Sequence, residues 1–572
     1  MIVLVLLVSM VLLLAGYIFY GRFLSRQLEL DDSRPTPAQQ INDGVDYVPA
    51  KASLLLGQHF SAISAAGPIV GPILAGIWFG WVPAILWIIL GSIFVGGVHD
   101  LTSLVASIRH KAASMGGLIK EYMSPTSYVL FLVFVWIALI YVIIAFTDIT
   151  AQTFKIVSSD QAFGPGVAAS SILYVILGVV MGICLYKFKL NLGLATAIFL
   201  PLVLLTIWLG TRLPPSVVNF FSGISVKQWD VILLLYCFAA SLIPMWILLQ
   251  PRGYLGGWLL YLTIGVALIG TIFGGFQIQY PAINVEGLKS LWNGKMIFPI
   301  LFITVACGAC SGFHGIVSSG TTSKQLFKET DARSVGFGAM LLEGLVAVLA
   351  LATVMMLPKG DLALKTDPNL IYANGLARYL SLVGVNFNLA LAFALLAFST
   401  FVYDTLDVCT RLARYILQEL LGWSTKTGAF FATLLTLLIP LIMLMLTKEK
   451  GYLAAWPIFG ASNQLLASLT LLAVSVWLIK TGKNALYTIL PMIFMLTVTL
   501  WALLLQILPL LKSLPDVFNG VFAKPDVYVS GVVGIILLIL SGWLIVETVN
   551  VLVVKRGKTK PFPPRCNKIG ED

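Results

Sequence analysis

Charge is scarce in this 572-residue chain: Asp, Glu, Lys and Arg make up 11% of it, against 59% apolar residues. No water-soluble core encloses that much apolar surface, so a soluble globule is excluded. Histidine is scarcer still, with four, and the six cysteines do not form a disulfide framework. Cys184, Cys237, Cys307, Cys310 and Cys409 fall in or beside apolar runs and Cys566 in the tail, which is not the pattern of a stapled exported domain and argues against redox chemistry. Long polar segments are absent too. The longest, about 21–56 and 358–380, have room for short interfacial or re-entrant helices but not for an independent core. The first apolar run has neither a charged leader nor an A-x-A cleavage site, and reads as a retained helix. Function must therefore lie within the membrane.

What the chain has in abundance is apolar runs of bilayer length. They lie near 2–20, 60–79, 82–107, 128–147, 168–186, 192–210, 231–249, 256–275, 297–318, 335–357, 385–404, 427–447, 453–478, 486–508 and 528–551, which predicts an all-α polytopic membrane protein of about fifteen transmembrane helices. With the N-terminus outside, 24 of the 36 Lys and Arg residues fall on one face, among them Arg22, Arg26, Arg109, Lys111, Arg252, Lys324, Arg411 and the tail Lys555 and Arg556. That face is expected to be cytoplasmic, with the C-terminus inside. The other face carries twelve, mixed with Asp160, Asp230, Glu286, Asp361, Asp367, Asp516 and Asp526. The net charge of +11 is thus mostly topology, and no nucleic-acid partner is expected.

The stretch GQHFSAISAAGPIVGPILAG, 57–76, interrupts this pattern with two Gly-Pro pairs, Gly67-Pro68 and Gly71-Pro72, behind a His59-Phe60-Ser61 entry. Proline removes a backbone donor and clashes with the preceding turn, so the helix should break near mid-membrane. Broken helices persist in lipid only where other helices cover the freed backbone groups or where those groups line a cavity or bind an ion. One reading is a kinked, tightly packed helix; the other is the discontinuous helix of a secondary transporter, with Ser64, Ala66, Gly67, Pro68 and Gly71 at its substrate site.

A second thin, polar segment is TVACGACSGFHGIVSSGTTSKQ, in which Gly308, Ser311 and His314 offer close backbone approach and polar ligands. Cys307, Cys310 and His314 would share roughly one helix face, yet zinc sites come as paired ligand groups, and no metal or cofactor is expected. Buried acids are the other clue, because charge at membrane depth is costly and such residues pair, protonate or line a pathway. Asp100, Glu343, His59 and His314 are candidate proton carriers. Asp404 and Asp407, at i,i+3, are expected to form a cytoplasmic structural or gating network with Arg411 or Arg414. In AAWPIFGASNQLLASL, Asn463 and Gln464 are expected to seal an interhelical contact, with substrate contact the second choice.

GQHFSAISAAGPIVGPILAG, GGVHDLTSLVASIRHK, ACGACSGFHGIVSSGTTSKQ, YDTLDVCTRLARYILQE and WPIFGASNQLLA, in this order, resemble the carbon starvation protein A (CstA) family. One departure is Cys310, where the family pattern has an aliphatic residue. The resemblance implies a bacterial inner-membrane transporter of peptides, or of pyruvate in symport with protons. It also implies the amino acid, polyamine and organocation (APC) superfamily, whose core is two inverted five-helix repeats. If 60–79 is the first core helix, 231–249 becomes the sixth, broken near Ser241 and Pro244, and 297–318 the eighth, whose 307–312 segment would face the first helix where this architecture places its coupling cation. The division is then 1–56 for the first helix and linker, 57–410 for the transport core, 411–551 for accessory helices and 552–572 for a basic tail. The expectation is not an enzyme but a secondary active transporter importing a small carboxylate or short peptide by alternating access, coupled to protons. Sodium coupling, a channel and a membrane sensor are the alternatives. A channel would show continuous polar rings, and an enzyme or sensor a convergent catalytic constellation or a soluble domain. The expected partners are the substrate, the coupling cation and membrane lipid; the oligomeric state stays open.

Overall fold

The computed structural model describes residues 2–44, 46–158, 161–284, 297–447, 451–518 and 525–553. The tail from 554 on, with Cys566, and the loop acids Asp160 and Glu286 lie outside them. The main helices are α1 (Ile2–Gln27), α2 (Ala52–Ile63), α3 (Gly67–Phe79), α4 (Trp81–Arg109), α5 (Pro125–Thr153), α6 (Gly164–Tyr186), α7 (Leu192–Gly210), α8 (Pro215–Gly223), α9 (Val226–Leu242) and α10 (Leu249–Phe273). They continue with α11 (Ile297–Thr304), α12 (Ala306–Ala309), α13 (Gly312–Gly320), α14 (Glu329–Met355), α15 (Pro368–Leu382), α16 (Phe387–Leu421), α17 (Lys426–Leu446), α18 (Gly451–Lys480), α19 (Leu486–Phe518) and α20 (Pro525–Val553). Among the described residues twelve helices are long and apolar enough to cross a bilayer, or up to fourteen if the bent pairs α2/α3 and α8/α9 each make one span. The remaining run in the sequence, 297–318, is cut into the short helices α11 to α13.

Local sequence explains the ends. Ser124 accepts from the Ser127 amide and Pro125 follows in the first turn of α5; Ser225 and Gln228 form a capping box on α9. Gly422 stops the 35-residue α16 with a φ of 70°. The expected break in the first core helix lies at 64–66, just before the Gly-Pro pair, with a bend of 45° between α2 and α3. Pro68 has no amide to give the Ser64 carbonyl, so the α2 ladder stops there, while a proline in the first turn of α3 costs nothing. Pro72 sits inside α3 without breaking it.

The second break needs no proline. Cys310 (φ −165°, ψ 130°) and Ser311 (φ −133°, ψ 126°) are extended between α12 and α13. In a continuous helix the Phe313 amide would bond Ala309; here it bonds Asn463 Oδ1 at 2.9 Å. Gly312 lies against the backbone of Asn463 and Ala467, where any side chain would collide. An amide on α18 therefore supplies the acceptor that the broken ladder lost.

The two breaks face each other. α3 packs along α11 and α12, α2 along α10, and the long helices α5 and α16 pack along one another. α11 to α13, the run set opposite the first core helix in the ten-helix scheme, are thus the broken partner of α2/α3, and the break expected near Ser241 and Pro244 is not. α9 ends at Leu242 and packs instead on α5, α16 and α17, with α10 starting at Leu249. The boundary drawn at 410/411 falls inside α16, and α18, expected among the accessory helices, packs on α5 and α13 and is nearly all buried. α1, α7, α17, α19 and α20 keep broad apolar faces exposed, as lipid-facing helices do. Three π-helical turns, Gly16–Tyr20 in α1, Ser92–Gly96 in α4 and Arg333–Gly338 in α14, meet near the buried Phe337, whose ring centroid is 6.5 Å from Tyr17 and 6.3 Å from Tyr20. Such turns recur at functional sites, and two of these lead directly into the helix segments that carry Asp100 and Glu343.

Candidate functional site

The glycines at the breaks are positions of close approach. A Cβ on Gly67 would overlap Cys307, one on Gly71 the Thr304 carbonyl, and one on Gly308 would lie 2.7 Å from the Ala347 methyl. In this conformation Gly67, Gly71 and Gly308 hold protein against protein. Ala66 and Pro68 are buried at the start of α3, and Ser64 ends α2 with a buried hydroxyl that has no hydrogen-bond partner among the described residues. Ser64 is thus the predicted substrate residue best placed to receive a ligand. Ser311, at the other break, bonds the Asn463 amide nitrogen at 2.9 Å, and Asn463 also donates to Cys307 Sγ at 3.4 Å. Gln464 reaches the Phe302 carbonyl at 2.5 Å. Both amides bridge α18 to the second broken segment.

Ser241 and Pro244 are elsewhere. Ser241 Oγ is 3.2 Å from Thr433 Oγ1 on α17, and Pro244 lies half-buried in the turn between α9 and α10. The shared helix face expected for Cys307, Cys310 and His314 is also lost, because the chain is extended between them. Among the described residues no His, Cys, Asp and Glu group is arranged to hold a metal ion.

Asp100, His314 and Glu343 come from α4, α13 and α14, and each is 0% exposed. His314 stands between the acids: Nδ1 is 2.9 Å from Asp100 Oδ2, and Nε2 is 3.2 Å from Glu343 Oε2, within ion-pair reach though off hydrogen-bond alignment. His99, which the sequence reading passed over, adds Nδ1 at 2.7 Å from Asp100 Oδ1. The only hint in the sequence was its adjacency to Asp100. His59 lies outside this line; its Nδ1 is 2.8 Å from Thr322 Oγ1 and its Nε2 has no hydrogen-bond partner among the described residues.

A second acid cluster surrounds Arg252, a residue that loop counting placed at the cytoplasmic surface but that is 1% exposed in the first turn of α10. Its guanidinium holds Asp404 at 2.5 Å and Asp407 at 2.6 Å. Tyr236 donates to Asp407 at 2.8 Å, and Ser61, three residues before the first break, donates to Asp404. The expected Asp407–Arg411 pair is replaced by Asp407–Arg252. Arg411 instead caps the end of α9 through the Ala240 and Ile243 carbonyls and lies 4.0 Å from Asp46. Asp230, also read as a loop acid, is buried in α9.

Beneath α13 a cavity of about 140 Å³ is lined by Tyr47, Ser319, Gly320, Lys324, Tyr415 and Glu419 among others. Lys324 sits over the Tyr415 ring at 4.5 Å and the Tyr47 ring at 5.5 Å, and Tyr415 donates to Asp46 at 2.7 Å, so the segment before α2 closes this end.

The profile of the family described as carbon starvation protein CstA matches residues 1–364 and 360–502. The chain belongs to that family. It is 34% identical over 575 residues to the peptide transporter CstA of Helicobacter pylori, covering 88% of this chain and 82% of the relative. It is 30% identical to the pyruvate/proton symporter BtsT of Escherichia coli, covering 86% and 80%. Among solved structures, a manganese transporter of Eremococcus coleocola bound to an aromatic bis-isothiourea compound is loosely similar, at 14% identity and a TM-score of 0.46 over 89% of this chain and 99% of the other. The relatives are transporters by name, in keeping with the reading that the chain is a multi-pass membrane transporter and not an enzyme.

Proposed function

We propose that the protein imports a small carboxylate such as pyruvate, or a short peptide, across the bacterial inner membrane by proton symport. The observation that carries this reading is the meeting of two helix breaks, at 64–66 and 310–311, beside a buried acid and histidine cluster. A broken helix ends in unpaired backbone amides and carbonyls, and two facing breaks give a midplane point where a polar substrate is recognised without a water-filled pore. Ser64 and the first turn of α3 would meet the substrate, whose carboxylate suits the positive end of that half-helix. Alternating access would rock α2/α3 and α11–α13 against the long pair α5 and α16, opening and closing the segment at Asp46 and Tyr47. The N-terminus would face outside and the C-terminus the cytoplasm, because most of the Lys and Arg residues then lie inside. The names of the relatives support both substrate classes, the symporter supports protons, and no resident cofactor is part of the scheme.

The test is uptake of labelled pyruvate and of a labelled dipeptide into proteoliposomes under a pH gradient or a sodium gradient, applied separately. Accumulation of either substrate driven by the pH gradient supports the proposal. Accumulation driven by sodium alone removes the proton, and none under any gradient removes the transport reading for these substrates.

A further inference from the structure

We propose that His99, Asp100, His314 and Glu343 form the binding site of the coupling proton, with His314 as the residue that shuttles it and reports its presence to the second helix break. The inference rests on the transport reading above and deepens it. The four side chains form one line: His99 Nδ1 to Asp100 Oδ1 at 2.7 Å, Asp100 Oδ2 to His314 Nδ1 at 2.9 Å, and His314 Nε2 to Glu343 Oε2 at 3.2 Å.

Charge balance supplies the first argument. The ion-pair partners of both buried carboxyl groups, among the described residues, are imidazoles and not Lys or Arg. With every histidine neutral and both acids ionised, two negative charges would sit in a site closed to water, and desolvating even one is costly. Bound protons are the cations this cluster is built to accept. The titratable groups that interact with it from the elements packed around it are, among the described residues, Cys307 on α12, Cys310 in the break and His59 on α2, which is engaged with Thr322, while Thr470 on α18 lies beside His99. None brings a fixed positive charge. A sodium ion would ask for several oxygen ligands, whereas half of these four groups present nitrogen.

Connectivity supplies the second argument. An imidazole donates from both nitrogens only when protonated; neutral, it donates from one and accepts at the other. With the proton aboard, His314 ties α13 to Asp100 on α4 and to Glu343 on α14 together. When the proton moves on, the His314 Nε2–H bond breaks, an O–H bond forms on Glu343 Oε2, and the charge attraction between α13 and α14 is gone. α4 and α14 run on through their π turns, but α13 starts only two residues before His314, at a joint of two extended residues. Proton occupancy therefore acts on the one of the three elements that begins at a break in its own helix ladder, and the break is where movement follows.

The test is infrared difference spectroscopy of the full-length protein in lipid after a pH jump across neutrality, which needs no substrate. Wild type should show the carbonyl band of a protonated carboxylic acid titrating, and E343Q or D100N should lose or shift it. D404N, in the Arg252 cluster, should leave it in place, and folding of each variant is checked by thermal melting. H314Q should retain a carboxyl band that titrates at a different pH. Identical titrating bands in wild type, E343Q and D100N overturn the proposal whatever transport shows. Failure of wild type to carry pyruvate or dipeptide removes the functional reading and leaves the spectroscopic result to decide this one. In proteoliposomes that do transport, whatever uptake E343Q retains should no longer respond to the pH gradient, and an unchanged response overturns the proton site.

Discussion

Two acid clusters are buried in the same bundle, each with a pair of carboxyl groups, and they are built to opposite ends. Asp404 and Asp407 share Arg252, a cation that keeps its charge at any accessible pH, and further donors arrive from Tyr236 and Ser61. Asp100 and Glu343 share His314, an imidazole that is a cation only when it holds a second proton. The first arrangement fixes α10 to α16 and, through Ser61, to the end of α2; the second joins three helices conditionally. A permanent counter-charge makes a joint, and a titratable one makes a switch.

Removing the permanent charge should have the largest effect. R252A leaves two buried carboxylates uncompensated, a loss of about 3–5 kcal/mol, to be read as collapse of thermal stability and of detergent-soluble yield. R252K should recover only part, because an ammonium cannot reproduce the planar fork. E343Q is the counterpart: it should melt within about 1 kcal/mol of wild type while abolishing the proton response. If E343Q unfolds the protein as R252A does, the contrast between joint and switch is broken.

The breaks give intermediate effects. G71A drives a methyl into the Thr304 backbone carbonyl and G67A into the Cys307 side chain, each about 1–3 kcal/mol by thermal melting, with G71A the worse because backbone cannot rotate away. N463A orphans the Phe313 amide and should cost about 1–3 kcal/mol by thermal melting. The smallest effect belongs to the surface pair Glu29–Lys483. The hydrogen bond and charge of Lys483 hold the Glu29 carboxyl below the usual carboxylate range. A lowered folded-state value contributes stability above the unfolded carboxylate range and loses it as pH falls through the folded one. With Glu29 51% exposed, K483M should cost no more than about 1 kcal/mol, and less at high salt.

Much of this contrast was legible before any coordinates. The Gly-Pro pairs announced the first break, since proline acts through its own missing amide, and Asp100, His314 and Glu343 were singled out because charge in an apolar run is conspicuous. The second break was located by its thinness and polarity, and the ten-helix core implied by the family resemblance set it opposite the first. The cause of the break at Cys310 and Ser311 is tertiary: Asn463, some 150 residues on, supplies the acceptor. Pro244 drew the eye to α9 because proline is a local signal, and local signals do not say which helices meet. Arg252 and Asp230 were misplaced as loop charges, because a charge near the end of an apolar run reads alike in sequence whether it faces water or another charge.

The most direct measurement is the initial rate of labelled pyruvate and dipeptide uptake into proteoliposomes as the imposed pH gradient is varied, for wild type, E343Q and D404N side by side. The account predicts that the rate climbs with the gradient for wild type, is flat for E343Q, and still climbs for D404N from a lower baseline. A wild-type rate indifferent to the pH gradient and set by sodium, or an E343Q rate that follows the gradient as wild type does, would contradict it.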